Sequence, residues 1–190
     1  MNPRTVMMVF HKTLKAFAFA NATILLLAGS AAAQLATDAL GTIEATIDGA
    51  PYSAETLDVP SEGTSTAELR AVGPMLSISV QGHDPEAGSR MRNVLTIDFT
   101  IMGSDASATM TDASVSYWPE GMDAPFYMSE GAATMAAVDL EALSVEDGAA
   151  AAQGSFTATL CRKDDFFSQS DPNDCLPVEG TFDTALRKAE

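Results

Sequence analysis

The stretch Asn93-Val-Leu-Thr-Ile-Asp-Phe-Thr-Ile-Met102 decides the fold. Leu95, Ile97, Phe99 and Ile101 fall on one side of an extended chain, and Thr96, Asp98 and Thr100 on the other. A period of two kept this long belongs to a strand with one buried face. On the N-terminal side, Met75 to Val80 repeats the pattern, with Leu76, Ile78 and Val80 against Ser77 and Ser79, between Gly73-Pro74 and Gly82. Thr42 to Asp48 alternates Ile43, Ala45 and Ile47 with polar residues, and Asp48-Gly49 supplies the positive-φ pair of a tight hairpin turn into a partner strand, Pro51 to Asp58. Thr64 to Ala71, Ser107 to Trp118 and Pro125 to Glu130, rich in Ser, Thr and Ala, are weaker strand segments.

Three segments share one template: Gly41-Thr-Ile-Glu-Ala-Thr-Ile47, Gly154-Ser-Phe-Thr-Ala-Thr-Leu160 and Gly180-Thr-Phe-Asp-Thr-Ala-Leu186. The spacing puts Phe156, Ala158 and Leu160 on one strand face, and likewise Phe182 and Leu186. The opening glycine suits a bend or a close approach of two backbones. Unequal gaps between the copies exclude a solenoid or propeller. The alanine-dense stretch from Glu130 to Gln153 fits a helical stripe (Met135, Val138, Ala142, Val145) or a strand (Val138, Leu140, Ala142). Glu146-Asp147-Gly148 reads as a turn and favours strand, turn, strand. The sum is an all-β chain, an antiparallel β-sandwich or barrel of about ten short strands.

Ahead of these strands, Arg4, Lys12 and Lys15 precede the apolar run Ala16 to Gly29, and Ser30-Ala-Ala-Ala-Gln34 follows with small side chains. This is the three-part pattern of a secretory signal peptide, and the run is too short and too interrupted by Asn21 and Thr23 to span a bilayer. The expected organisation is a cleaved signal peptide over 1–33 and a single β-rich domain over 34–190, delivered to a periplasm or to the cell exterior. The chain carries a net charge of −16. The 34–190 segment holds 7 basic against 26 acidic residues, a formal charge of −19. That charge excludes nucleic acid as a partner, because such binding rests on cations meeting phosphate, and argues against docking on an anionic membrane.

Cys161 and Cys175 are the only cysteines, and an exported protein oxidises such a pair. If the strands that flank them form a hairpin, the sulfurs sit near its open end. Between them, Asp164, Asp165, Asp171, Asn173 and Asp174 offer hard oxygen ligands of the kind calcium takes, without the glycine and distal glutamate of an EF-hand loop. Phe166 and Phe167 lie among these acids; both exposed would form a recognition tip, and at least one is expected to cover the end of the sheet.

The catalytic inventory is short. His83 is the one histidine after residue 33, in the punctuated segment Gly82-His-Asp-Pro-Glu-Ala-Gly88, and reads as an exposed loop residue. There is no G-x-S-x-G elbow, no histidine pair for zinc and no phosphate-binding loop, so no catalytic residue and no cofactor is assigned. The methionines at 75, 91, 102, 110, 122, 128 and 135 are not grouped as soft-metal ligands and read as core filler. Tyr117, Trp118, Phe126 and Tyr127 flank a Pro/Gly-rich loop and form the candidate ligand-binding cluster, with a plug at one end of the sheet as the other reading.

These features point to a non-enzymatic exported β-domain that binds a small apolar ligand or a protein partner. The alternatives are a structural or surface-interaction protein with no ligand pocket and a hydrolase using paired carboxylates. The intact mass of the exported chain should equal Gln34 to Glu190 less two hydrogens. A mass that retains residues 1–33, or two thiols open to alkylation without reductant, would contradict the reading of this end of the chain.

Overall fold

The structure, a computed structural model, describes residues 36–122 and 125–189, so the expected signal peptide lies outside the described residues. The described residues belong to one compact unit. The chain runs β1 (Asp38–Ile47), β2 (Ala50–Val59), β3 (Thr64–Ser65), β4 (Ala67–Val72), β5 (Met75–His83), β6 (Val94–Met102), β7 (Thr109–Trp118), β8 (Phe126–Met128), β9 (Ala137–Ser144), β10 (Ala151–Lys163), β11 (Asp171–Ala185) and β12 (Arg187–Lys188). No helix occurs among the described residues. Apart from the two-residue β3 and β12, these are the ten strands the alternation marks. They are not all short: β10 and β11 have 13 and 15 residues, because their pairing continues to Cys161 opposite Cys175 and one step further, to Arg162 opposite Asp171. The alanine-dense stretch is strand, turn, strand, with Gly148 at positive φ in the turn.

All strands belong to one sheet in the order β12-β4-β5-β6-β7-β8-β10-β11-β1-β2-β3, with β9 alongside β10. Glu55 of β2 also pairs with His83 of β5, so the hydrogen-bonded path returns on itself. Pairing is antiparallel except between β12 and β4. The β1–β2 hairpin turns on Asp48 and Gly49, both at positive φ as a two-residue turn that follows the sheet twist requires.

Register carries the hydrophobic alternation across the sheet. Val80, Ile97 and Val115 stand side by side on β5, β6 and β7, as do Ile43 and Phe182 on β1 and β11. Ile43, Ile78, Leu95, Ile97, Phe99, Phe156, Leu160 and Phe182 are buried in one cluster, and the Phe99 and Phe182 rings lie 5.9 Å apart. Within the sheet, Thr56 and Thr184 satisfy each other through their hydroxyls at 2.6 Å. The C-terminus ties down one edge: Leu186 N–H donates to the Ala150 carbonyl and Ala189 N–H to that of Leu69, while Arg187 pairs with Asp58 at 2.7 Å.

The three template glycines share one physical reason. A Cβ on Gly41 would collide with the Asp183 carbonyl, and one on Gly154 with that of Asp139. At Gly180 it would stand 2.5 Å from the Glu44 carbonyl oxygen and 2.6 Å from the Ala45 Cβ. Each obstacle includes backbone of the neighbouring strand, which yields less readily than a flexible side chain. Gly180→Ala should therefore cost about 3 kcal/mol. By contrast Gly88→Ala, where a Cβ meets nothing within 4 Å, should stay within about 0.5 kcal/mol of the parent. Urea unfolding followed by the fluorescence of Trp118 measures both, and equal losses would refute the close-approach account.

Candidate functional site

Adjacent residues on a strand face opposite ways, and this divides the aromatic cluster. Tyr117 at the end of β7 and Tyr127 on β8 pair directly, and both pack against the core. Trp118 and Phe126 stack on each other away from that core, with ring centroids 4.1 Å apart and planes 16° from parallel. The four side chains are thus two pairs on two faces and not one binding cluster.

The outer pair gains a third ring from the loop between β10 and β11. Phe166 leans on both, with centroids 5.6 Å from Trp118 and 5.1 Å from Phe126. Phe126, at the bottom, is 1% exposed; Phe166 is 55% exposed and its neighbour Phe167 99%. Both phenylalanines are exposed: Phe166 rests on the outer aromatic pair with part of its ring in water, and Phe167 stands free.

This tip is held from several sides. Cys161 and Cys175, directly opposite on β10 and β11, form a disulfide. The sulfurs clamp the end of the hairpin that carries the connecting loop and not its open end. Closing a loop of this size contributes roughly 3 kcal/mol in the chain-entropy view. Asp165 Oδ1 accepts the backbone N–H groups of Phe167 (2.7 Å) and Ser168 (2.8 Å), a local turn that fixes where Phe167 points. Ser170 Oγ donates to the Glu130 carbonyl at 2.8 Å, joining the loop to the segment after β8. The Arg162 guanidinium bridges Asp164 at 3.0 Å and Asp174 at 3.6 Å.

The acids considered for calcium are engaged in these contacts. Asp164 and Asp174 face Arg162, Asp165 caps the turn, and Asp171 Oδ1 accepts the Asn173 backbone N–H at 2.9 Å from within β11. Among the described residues no three His, Cys, Asp or Glu side chains converge as metal ligands.

The inner tyrosines belong to a different construction. Tyr117 donates to Asn93 Oδ1 at 2.5 Å, Tyr52 donates to the Asn93 carbonyl at 2.9 Å, and the two rings meet edge to face at 6.1 Å. Asn93, at φ +54°, donates its side-chain amide to Asp84 at 2.6 Å. Both phenols are pushed above their usual pKa, Tyr52 by burial and then by Tyr117, and Tyr117 by burial and then by Asp84. Sequence reasoning missed Tyr52 and Asn93. The signal available was the Asp-Gly hairpin, which sets Tyr52 opposite Ala45 and so on the core face.

Two expectations are corrected. His83 is no exposed loop residue: it ends β5, its Nδ1 lies 2.7 Å from the Arg90 carbonyl oxygen, and its Nε2 is buried with no partner. At position 83 the backbone of β5 pairs with Glu55 of β2. The methionines are not core filler either: Met91, Met102, Met122 and Met135 are exposed and Met75, Met110 and Met128 half-buried. They lie at strand ends and in loops, where the β-branched and aromatic residues of strand centres leave them.

Leu95, Ile97 and Phe99 meet opposing side chains within the packed cluster. Surface depressions among the described residues include one of about 500 Å³ beside Tyr52, Asp84 and Glu86 and one of about 530 Å³ beside Met110 and Glu130. Neither is walled by those three core residues or by Trp118 and Tyr127. No family model, no curated protein and no solved structure matches this chain.

Burial, more than the charge on Arg90, lowers the pKa of His83 below its ordinary 6.5, against the raising effect of the Arg90 carbonyl. The unfolded chain therefore takes up the proton first. The imidazole's contribution to stability is complete above about pH 6.5 and falls as pH drops from there to the folded pKa, with no further loss below it. Urea midpoints at about pH 7.5 and about pH 5.5 should differ more for the parent than for His83→Gln. Equal differences would show that His83 is not sealed as described.

Proposed function

We propose that this chain is an exported, acidic, non-enzymatic β-domain that works by binding a protein partner through the Phe166–Phe167 tip. The observation that carries this reading is Phe167, 99% exposed on a loop held by a disulfide, an ion-paired arginine and a side-chain-capped turn. A large apolar ring presented to water on an immobilised loop suits an anchor that enters a pocket on another protein, because little conformational freedom is left to lose on binding. The small-ligand reading is less favoured, since the residues that would line an internal cavity pack against one another. We read the returning sheet as a closed barrel filled by side chains, on the strength of the β2–β5 pairing.

Export rests on the signal-like segment before residue 34 and is compatible with the paired cysteines. Among the described residues no helix is long and apolar enough to cross a membrane. The non-enzymatic part is supported by one arrangement. The His83 nitrogen that would act as a base is closed off from solvent.

The test is retention of proteins from the host's own exported fraction on the immobilised mature domain. Phe167→Ser should weaken the retained partner about thirtyfold while leaving the unfolding midpoint unchanged, the behaviour of an anchor residue at an interface. Equal retention by parent and variant would remove the tip from the interface. A small molecule released from the parent on unfolding, detected by native mass spectrometry, would replace the protein-partner reading with a ligand-binding one.

A further inference from the structure

A second surface, which uses none of the tip's aromatic side chains, lies where the sheet is interrupted. Strand β7 pairs with β6 along its length, but on its other side only Ser116 and Tyr117 pair with β8. Just below, Val115 N–H donates to Ser129 Oγ and Ser129 N–H to the Val115 carbonyl, both at 2.9 Å, so Val115 turns its backbone groups away from β6. By the alternation of an antiparallel ladder, Ala113 turns its N–H and C=O the same way. Strand β9 lies on that side and pairs with β10 alone. An unpaired strand edge thus borders a groove of about 530 Å³.

The groove has the chemistry of a peptide site. Met110, Met128 and Met135 line it, Met135 being 92% exposed, and flexible thioethers adapt to varied apolar side chains. Asp112 and Glu130 stand on the same walls, on a chain whose net charge is −16. A second copy of the chain would bring like charge to this place, whereas a basic segment would bring the opposite sign.

We propose that the edge of β7 over Thr109–Ser114 accepts an extended basic peptide of another protein by strand addition, its backbone bonding to Ala113, its apolar side chains lying on the methionines and its lysines or arginines meeting Asp112 and Glu130. Main-chain bonds then supply affinity, and the alternating side chains supply selection.

The probe is a blocked octapeptide of alternating valine and lysine, titrated into the isotopically labelled mature domain and read by amide resonances and hydrogen exchange. The expected result is saturable shifts confined to residues 109–114 and their groove neighbours, with slowed exchange of the Ala113 N–H. Methylating the peptide's alternate backbone nitrogens should weaken binding about tenfold. The surface variant carrying Asp112→Lys and Glu130→Lys should weaken it by a similar factor. Absence of shifts would overturn the proposal. So would shifts that survive N-methylation or spread over the whole acidic surface, since these report charge attraction alone. Protection of Ala113 that appears without peptide as protein concentration rises would assign the edge to a second copy and overturn the basic-peptide partner.

Discussion

Strand β11 bonds to β1 on one side and to β10 on the other, and at Gly180 the β11 and β1 backbones lie closer than any side chain would allow. The register of the molecule descends from that contact. With Gly180 between Ala45 and Phe156, Phe182 falls opposite Ile43 and reaches Phe99 across the core, and Leu176 falls opposite Leu160. A shift of one residue would turn all of these outward, so the close approach and the apolar alternation enforce each other. The same register brings Cys175 opposite Cys161, and the disulfide therefore closes on a pairing that the core already demands.

The tip is a consequence of this hairpin. Because β10 and β11 remain paired as far as the disulfide, only a few residues are left to turn between them, and Asp165 organises those through its carboxylate. Phe166 is carried onto Trp118 and Phe126, two residues on the face of β7 and β8 that the main core does not use. The result is a small apolar layer outside the sheet with Phe167 above it. The chain as a whole carries a net charge of −16, against which the aromatic tip is a local apolar exception.

Strands were legible because alternation is a property of a few neighbouring residues. The segment around Ile97 reads the same alone as in the sheet, and the Asp48-Gly49 turn states its own backbone angles. The alanine-dense stretch resolved itself through its turn at Gly148. The site was harder. Tyr117, Trp118, Phe126 and Tyr127 looked like one cluster because they are close in the chain, yet the period of two that identified the strands separates them. His83 gave no local sign of burial, and the strand it pairs with, β2 at Glu55, lies 28 residues earlier in the chain. The exposed methionines were misread because hydrophobicity alone does not say whether a residue lies at the centre of a strand or at its end.

The sequence by itself determined that this chain forms strands, that all the longer ones pair in antiparallel fashion, that its net charge is strongly negative and that its two cysteines are suited to bond. Those properties depend on composition and on spacings of two to seven residues. Only the tertiary structure decided which strands became neighbours, how the sheet returned from β2 to β5, and which aromatic rings faced water. It also decided that β7 keeps a free edge opposite β9. Each of these is a contact between segments far apart in the chain, set by register and packing together, and no local pattern encodes it.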